Sequence, residues 1–193
     1  SYLDWFNQIE HHYDEQMATA YQAYYGKPFD RAQGSATEAW VKAFAKNGPL
    51  PTDSDGSASE AVGAPGQKDP FMGLISTAKY RDVAKGKLRM AICGSMQPFV
   101  GLSTPAFGLI SAKTKSPNSA RLLIYYLMTE EGIANQTIDG KVSGNSTIPP
   151  HAKEASGVHA VWGQVLQYQS TSAPQDFDAR QRWSDIWRLN FTR

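Results

Sequence analysis

Residues 52–62 read Thr-Asp-Ser-Asp-Gly-Ser-Ala-Ser-Glu-Ala-Val, a polar turn that opens into a short helix. Asp53, Ser54 and Asp55 stand where a helix start leaves backbone N–H groups without intrahelical acceptors, a place that receives anions or polar ligand groups. The same letters match the opening of a calcium loop only in part. Glycine falls fourth, at Gly56, where an EF-hand needs it sixth, and the twelfth place holds Ala64 in place of a bidentate Glu. These residues therefore read as a capping turn with ligand contact.

Other reactive types are scattered. His11 and Glu15 share a helix face as metal ligands at i and i+4 would, but the pattern is not His-Glu-x-x-His, and His151 and His159 lie far along the chain. A surface or domain-contact role is expected for them. Ser76-Thr77-Ala78-Lys79 spells Ser-x-x-Lys but lacks its companion Ser-Asp-Asn and Lys-Thr-Gly boxes. Cys93 ends an apolar stretch and reads as a small core residue. Tyr24-Tyr25 and Tyr125-Tyr126 lie in helical patterns, where neighbours diverge by about 100° and cannot chelate one ion, so packing is expected of both pairs. No residue is required as acid, base or nucleophile and no cofactor is called for: the chain reads as a binder, not an enzyme.

Composition narrows the partners. The chain has 193 residues, 41% apolar and 19% charged, with 19 Lys and Arg against 18 Asp and Glu for a formal net charge of +1. That is enough for a globular core, and it offers no basic footprint for a phosphate backbone, so nucleic acid is excluded as a partner. Met90 to Ile110 is the most apolar region, yet Gly94, Gln97, Gly101, Ser103 and Pro105 break it well short of the roughly 18 residues a bilayer span needs. No leader precedes Ser1 and there is no initiator Met, so the chain is expected to be processed or cut from something longer.

The elements that must position these residues follow from periodicity. Leu3, Phe6, Ile9, Tyr13, Met17 and Tyr21 predict a helix from the first residue to about Tyr25, stopped by Gly26. A second helix carries Trp40, Val41 and Phe44, with Thr37 as its expected cap. Apolar runs at 70–76, 88–92 and 106–111 predict strands, with a loop at 93–105. Pro117 leads a strong helix over 118–129, stopping at Gly132. Helices are expected again at 159–168 and 178–189. The fold class predicted is α/β, a mixed sheet covered by helices.

The run from Thr104 to Gly132, Thr-Pro-Ala-Phe-Gly-Leu-Ile-Ser-Ala-Lys-Thr-Lys-Ser-Pro-Asn-Ser-Ala-Arg-Leu-Leu-Ile-Tyr-Tyr-Leu-Met-Thr-Glu-Glu-Gly, resembles the strand, Pro-led helix and Leu-x-x-Glu-Gly turn of solute-binding proteins of bacterial ABC importers. The similarity is to the branch holding ferric-iron-binding and hexose-phosphate-binding proteins. Residues 39–48, 52–62 and 71–76 resemble other segments of the same family. The resemblance implies a periplasmic-binding-protein type II-like lobe, incomplete without an N-terminal half. Residues 1–100 would be most of the second lobe, 101–150 the crossing strand and helix returning to the first, and 151–193 C-terminal helices.

Function follows from the same resemblance. It implies a periplasmic substrate-binding component that closes by a hinge on a small solute and serves permease subunits in the inner membrane, with the N-terminal lobe of the same protein as a further partner. Carried over by position, the ligand contacts are Ser1, the Asp53, Ser54 and Asp55 turn, Ser76 and Thr77, and Ser103 and Thr104. Ferric-binding members place adjacent tyrosines after the strand, where this chain has Ser76, Thr77 and Ala78 with Tyr80 further on. A polar organic anion such as a sugar phosphate is therefore the expected solute, and ferric iron, with Tyr80 as ligand, the alternative.

Overall fold

The computed structural model describes residues 2–192. Helix takes up 53% of the residues and strand 2%, so the mixed sheet covered by helices is overturned. Among the described residues the sheet consists of two parallel two-residue strands, β1 (Gly101–Leu102) and β2 (Val165–Leu166), with Gly101 opposite Val165 and Leu102 opposite Leu166. Contacts divide the chain into two compact units. Unit 1 takes the chain up to residue 51, residues 95–104 and the chain from 164; unit 2 takes residues 52–94 and 105–163.

Unit 1 is built on α1 (Tyr2–Tyr25), whose Phe6, Ile9 and Met17 are buried as their spacing requires. Gly26 ends it at φ 69°, a left-handed conformation that glycine alone adopts without strain. Next comes α2 (Ala36–Lys46), capped by Ser35, which accepts from the Glu38 N–H, and not by Thr37 as expected. Thr37 is instead buried in the first turn, where the Asp14 carboxylate of α1 accepts from its N–H at 2.7 Å and its hydroxyl at 2.6 Å. A carboxylate from one helix thus satisfies the orphan donors of another.

The C-terminal α7 (Ala173–Asp178) and α8 (Arg180–Asn190) complete the unit. One core cluster joins Ile9, Met17 and Ala36 to Leu102 and Leu166 of the strands. A second joins Phe6, Val41 and Trp183, with Trp40, Ile186 and Trp187 packed against it. Over these clusters Arg182 of α8 bridges Glu10 of α1 and Glu38 of α2, at 2.5 and 2.6 Å.

Unit 2 holds α3 (Asp55–Gly63), the 3-10 turn Thr77–Lys79 running into α4 (Tyr80–Ala84), α5 (Pro117–Leu127) and α6 (Glu130–Thr137). The three expected strands are irregular backbone here. Gly73 lies against Val62 of α3 and Gly108 against Ile124 of α5, while Phe71, Leu74, Phe107 and Leu109 are exposed. An apolar run becomes a strand only if a neighbour completes its ladder, and the run itself carries no information about that neighbour.

The remaining expectations divide in the same way. The helix expected over 159–168 is a 3-10 stretch, Val158–Gln164, followed by β2. Cys93 is exposed, not in a core, and Tyr24, Tyr25, Tyr125 and Tyr126 are exposed on their helices. Gly132 does not stop a helix but sits in the first turn of α6. Thr129 caps that helix, accepting from the Gly132 N–H at 3.1 Å, and a Cβ on Gly132 would fall 2.0 Å from the Tyr126 carbonyl oxygen.

Candidate functional site

Five of the residues singled out as ligand contacts meet within unit 2. Ser54 is the N-cap of α3, its Oγ accepting from the Ser57 N–H at 3.1 Å, and Asp53 accepts from the Ser57 hydroxyl at 2.8 Å. Asp55 accepts from the Ser76 N–H at 3.3 Å, which ties the turn to the 3-10 segment that Ser76 caps. Thr77 donates its hydroxyl to the Gly140 carbonyl at 2.9 Å. Gly140 is at φ 81°, and a Cβ there would lie 3.0 Å from both Thr77 Cβ and Ser156 Oγ, so this close approach needs glycine.

Lys79 joins them; sequence reasoning met it only as the end of the Ser-x-x-Lys letters and not as a ligand contact. Its Nζ lies 3.9 Å from the place a Cβ on Gly56 would take, which sets an ammonium beside the first turn of α3. The signal was three-residue spacing: in a 3-10 turn residues i and i+3 eclipse, so Lys79 falls on the side of Ser76. Ser76, Asp53 and Ser54 are exposed, while Asp55, Thr77 and Lys79 are half-buried. The cluster offers two carboxylate acceptors, one ammonium and several hydroxyls within one small surface.

Ser103 and Thr104 are in unit 1, at the carboxyl end of β1. Ser103 donates to Gln167 Oε1 at 3.2 Å and accepts from the Tyr168 N–H at 3.2 Å, and Trp5 donates its indole N–H to Thr104 Oγ1 at 3.4 Å. Ser1 lies outside the described residues.

Unit 1 also contains a polar network invisible in the sequence. The Asp176 carboxylate, 2% exposed, accepts from Asn7 Nδ2 at 2.8 Å and Gln8 Nε2 at 2.7 Å. Ser172 Oγ accepts from Gln8 Nε2 at 2.8 Å and lies 2.8 Å from His12 Nε2. Ser, His and Asp thus stand together, but the carboxylate faces the serine and not the imidazole, and Ser172 is 1% exposed. A nucleophile needs its base oriented by the acid and a path for substrate; this cluster has neither and instead anchors α1 to the C-terminal helices. Burial, with help from neighbouring His11 and against the pull of Asp176, holds the His12 pKa below its ordinary value.

Tyr80 is buried, and burial together with the nearby Cys93 and Glu154 pushes its phenol up to about 12. A ferric ligand has to be a phenolate, so this environment disfavours the role. Among the described residues no group of three or more His, Cys, Asp and Glu side chains could hold a metal ion. No described helix is long and apolar enough to cross a membrane. Comparison of the chain with protein-family models, curated proteins and solved structures gave no match in any of the three.

Proposed function

We propose that this chain is the solute-capturing component of a bacterial ABC importer. It works in the periplasm, takes a small polar or anionic solute, for which a phosphorylated sugar is the best fit, and passes it to permease subunits in the inner membrane. One observation carries the reading: Ser54, Asp55, Ser76 and Lys79, drawn from two segments, meet around the first turn of α3. That set suits a solute with two kinds of group. Carboxylates accept hydrogen bonds from sugar hydroxyls, while the ammonium and serine hydroxyl meet an acidic group. With a net charge of +1 the chain as a whole supplies no attracting field, so selectivity falls to these few groups.

The family resemblance at 104–132 supports the reading, and the Thr129 cap and Gly132 contact give its Thr-Glu-Glu-Gly turn a physical basis. The ferric alternative is weakened by the burial of Tyr80.

Isothermal titration calorimetry of the chain with glucose 6-phosphate, glucose, citrate, inorganic phosphate and Fe(III) tests the proposal. Sugar phosphate is expected to bind, and Lys79→Ala to weaken it about tenfold, the loss of one charge-assisted hydrogen bond. Silence with every organic solute, or Fe(III) binding with a phenolate absorption band, overturns it.

A further inference from the structure

Within unit 2, Ile124 seats α5 against Gly108. Each residue of an α-helix turns the chain by about 100°, so Leu122 and Tyr126, two residues either side of Ile124, lie about 160° round the helix from it, with Leu123 and Tyr125 flanking them. All four are exposed, at 70% and 44% for Leu122 and Tyr126 and 58% and 80% for Leu123 and Tyr125. At about 200 Å² for a fully exposed residue of this size, they leave roughly 500 Å² of apolar face open, near the upper end for a single chain. Phe107 and Leu109, either side of Gly108, are exposed as well.

Charge is sorted by sign along this helix. Lys113 and Lys115 precede α5, Arg121 is the one charged residue within it, and Glu130 and Glu131 follow it. The two lysines and two glutamates are exposed, and among the described residues none of the four forms an ion pair. The glutamates stay close to the carboxyl end of α5, because the Thr129 N–H bonds the Tyr126 carbonyl and Gly132 lies against that same carbonyl. The lysines sit at the positive end of the α5 dipole, where cations are disfavoured until a negative charge or the negative end of another helix meets them.

We infer that this face pairs with α5 of a second copy of the chain, antiparallel about a two-fold axis. Leu122 and Leu123 lie midway in the chain between Lys115 and Glu130. An axis there lays leucine on leucine and brings the Lys113 and Lys115 of each copy to the Glu130 and Glu131 of the other, beside the negative end of the other's helix. A face basic at one end and acidic at the other is complementary to itself turned round. A uniformly anionic membrane surface is not. Since the apolar area per copy is below the roughly 800 Å² of a standard interface, pairing is weak, with Kd between about 1 μM and 1 mM.

Analytical ultracentrifugation of the full 193-residue chain from about 1 μM to 1 mM tests the pairing. The mass is expected to rise from one copy to two, and raising salt from about 0.05 to 0.5 M should weaken the association severalfold. Leu123→Glu sets like charges across the axis and should weaken it at least about tenfold, while circular dichroism of the dilute, single chain stays unchanged. Lys115→Glu should weaken it about threefold, and Glu130→Lys in the same chain should restore it, because opposite charges then meet again. One copy at every concentration overturns the pairing, and so does a dimer indifferent to Leu123→Glu. A Lys115→Glu loss that Glu130→Lys fails to restore overturns the antiparallel arrangement. A chain that stays single yet co-sediments with phosphatidylserine vesicles replaces the second copy by a membrane surface.

Discussion

The two units handle apolar surface in opposite ways. In unit 1, α1, α2 and α8 bury Phe6, Ile9, Val41 and Trp183 against one another, and charged pairs such as Arg182 with Glu10 and Glu38 sit at the rim. In unit 2, α5 buries none of its residues: Leu122, Leu123 and Tyr125 are 70%, 58% and 80% exposed, and Phe107 and Leu109 on the neighbouring segment are exposed as well. Both units carry amphipathic helices with proper starts. Unit 1 packs these stripes helix against helix, whereas in unit 2 the α5 stripe is met only at Ile124, by the irregular segment at Gly108, and stays largely exposed.

The contrast can be broken most directly at Trp183. Trp183→Ala should cost about 3–5 kcal/mol in urea unfolding, the range for deleting a large buried aromatic. Leu123→Ala should stay within about 0.5 kcal/mol as an exposed substitution. Equal costs would erase the distinction between the units.

A smaller effect is expected within unit 2. Gly132→Ala drives a methyl into the Tyr126 carbonyl and should lower stability by about 1–3 kcal/mol, as overpacking does, with the loss of protection in hydrogen exchange confined to α5 and α6. A neutral result would mean that the α5–α6 turn gives way freely.

Next in size is the carboxylate that links α1 to α2. Burial alone would raise the Asp14 pKa, but hydrogen bonds from Thr37, Arg31 and Ala36 together lower it below its ordinary value of 3.8. The stability it lends is complete above 3.8 and is lost as pH falls through the lower folded value. Asp14→Asn should cost about 1–2 kcal/mol at neutral pH, as loss of a charged cap does, and flatten the acid limb of a stability–pH profile. An unchanged acid limb would place the sensitivity elsewhere.

The smallest effect belongs to His12. Its folded pKa lies below the ordinary 6.5, so its contribution is present above that value and declines as pH drops through it. Melting temperature followed from pH 7 to 5 should fall by less in His12→Gln than in the parent. Identical slopes would show that the His12–Ser172 contact carries no pH dependence.

Legibility in the sequence tracked the range over which each feature is decided. The stripe and glycine stop of α1, the Pro117 start of α5 and the Ser54 cap are settled within a turn or two of chain, and periodicity reads them. The near-copies Gly73-Leu74-Ile75-Ser76-Thr77-Ala78-Lys79 and Gly108-Leu109-Ile110-Ser111-Ala112-Lys113 show where that stops. The first ends in a capped 3-10 turn held by Asp55, while the second lies on Ile124 and ends in a turn closed by Thr114 N–H to the Ser111 carbonyl. Similar letters take different structure because the partners differ. Of the candidate site, the Asp53–Asp55 turn was legible as a cap. Its hydrogen bond with the Ser76 N–H and the approach of Lys79 both required coordinates.

By itself, then, the sequence determined the stripe and glycine stop of α1, the Pro117 start of α5, the polar capping turn at 53–55, and the near-zero net charge. Tertiary structure alone decided that the apolar runs at 70–76 and 106–111 form no sheet, that two residues at 101–102 pair with two at 165–166, and that Asn7 and Gln8 meet Asp176 in the interior. The physical reason is common to all three. A backbone ladder, a buried carboxylate and a packed indole each depend on a partner distant in sequence, and the strength of the local pattern is the same whether or not that partner arrives.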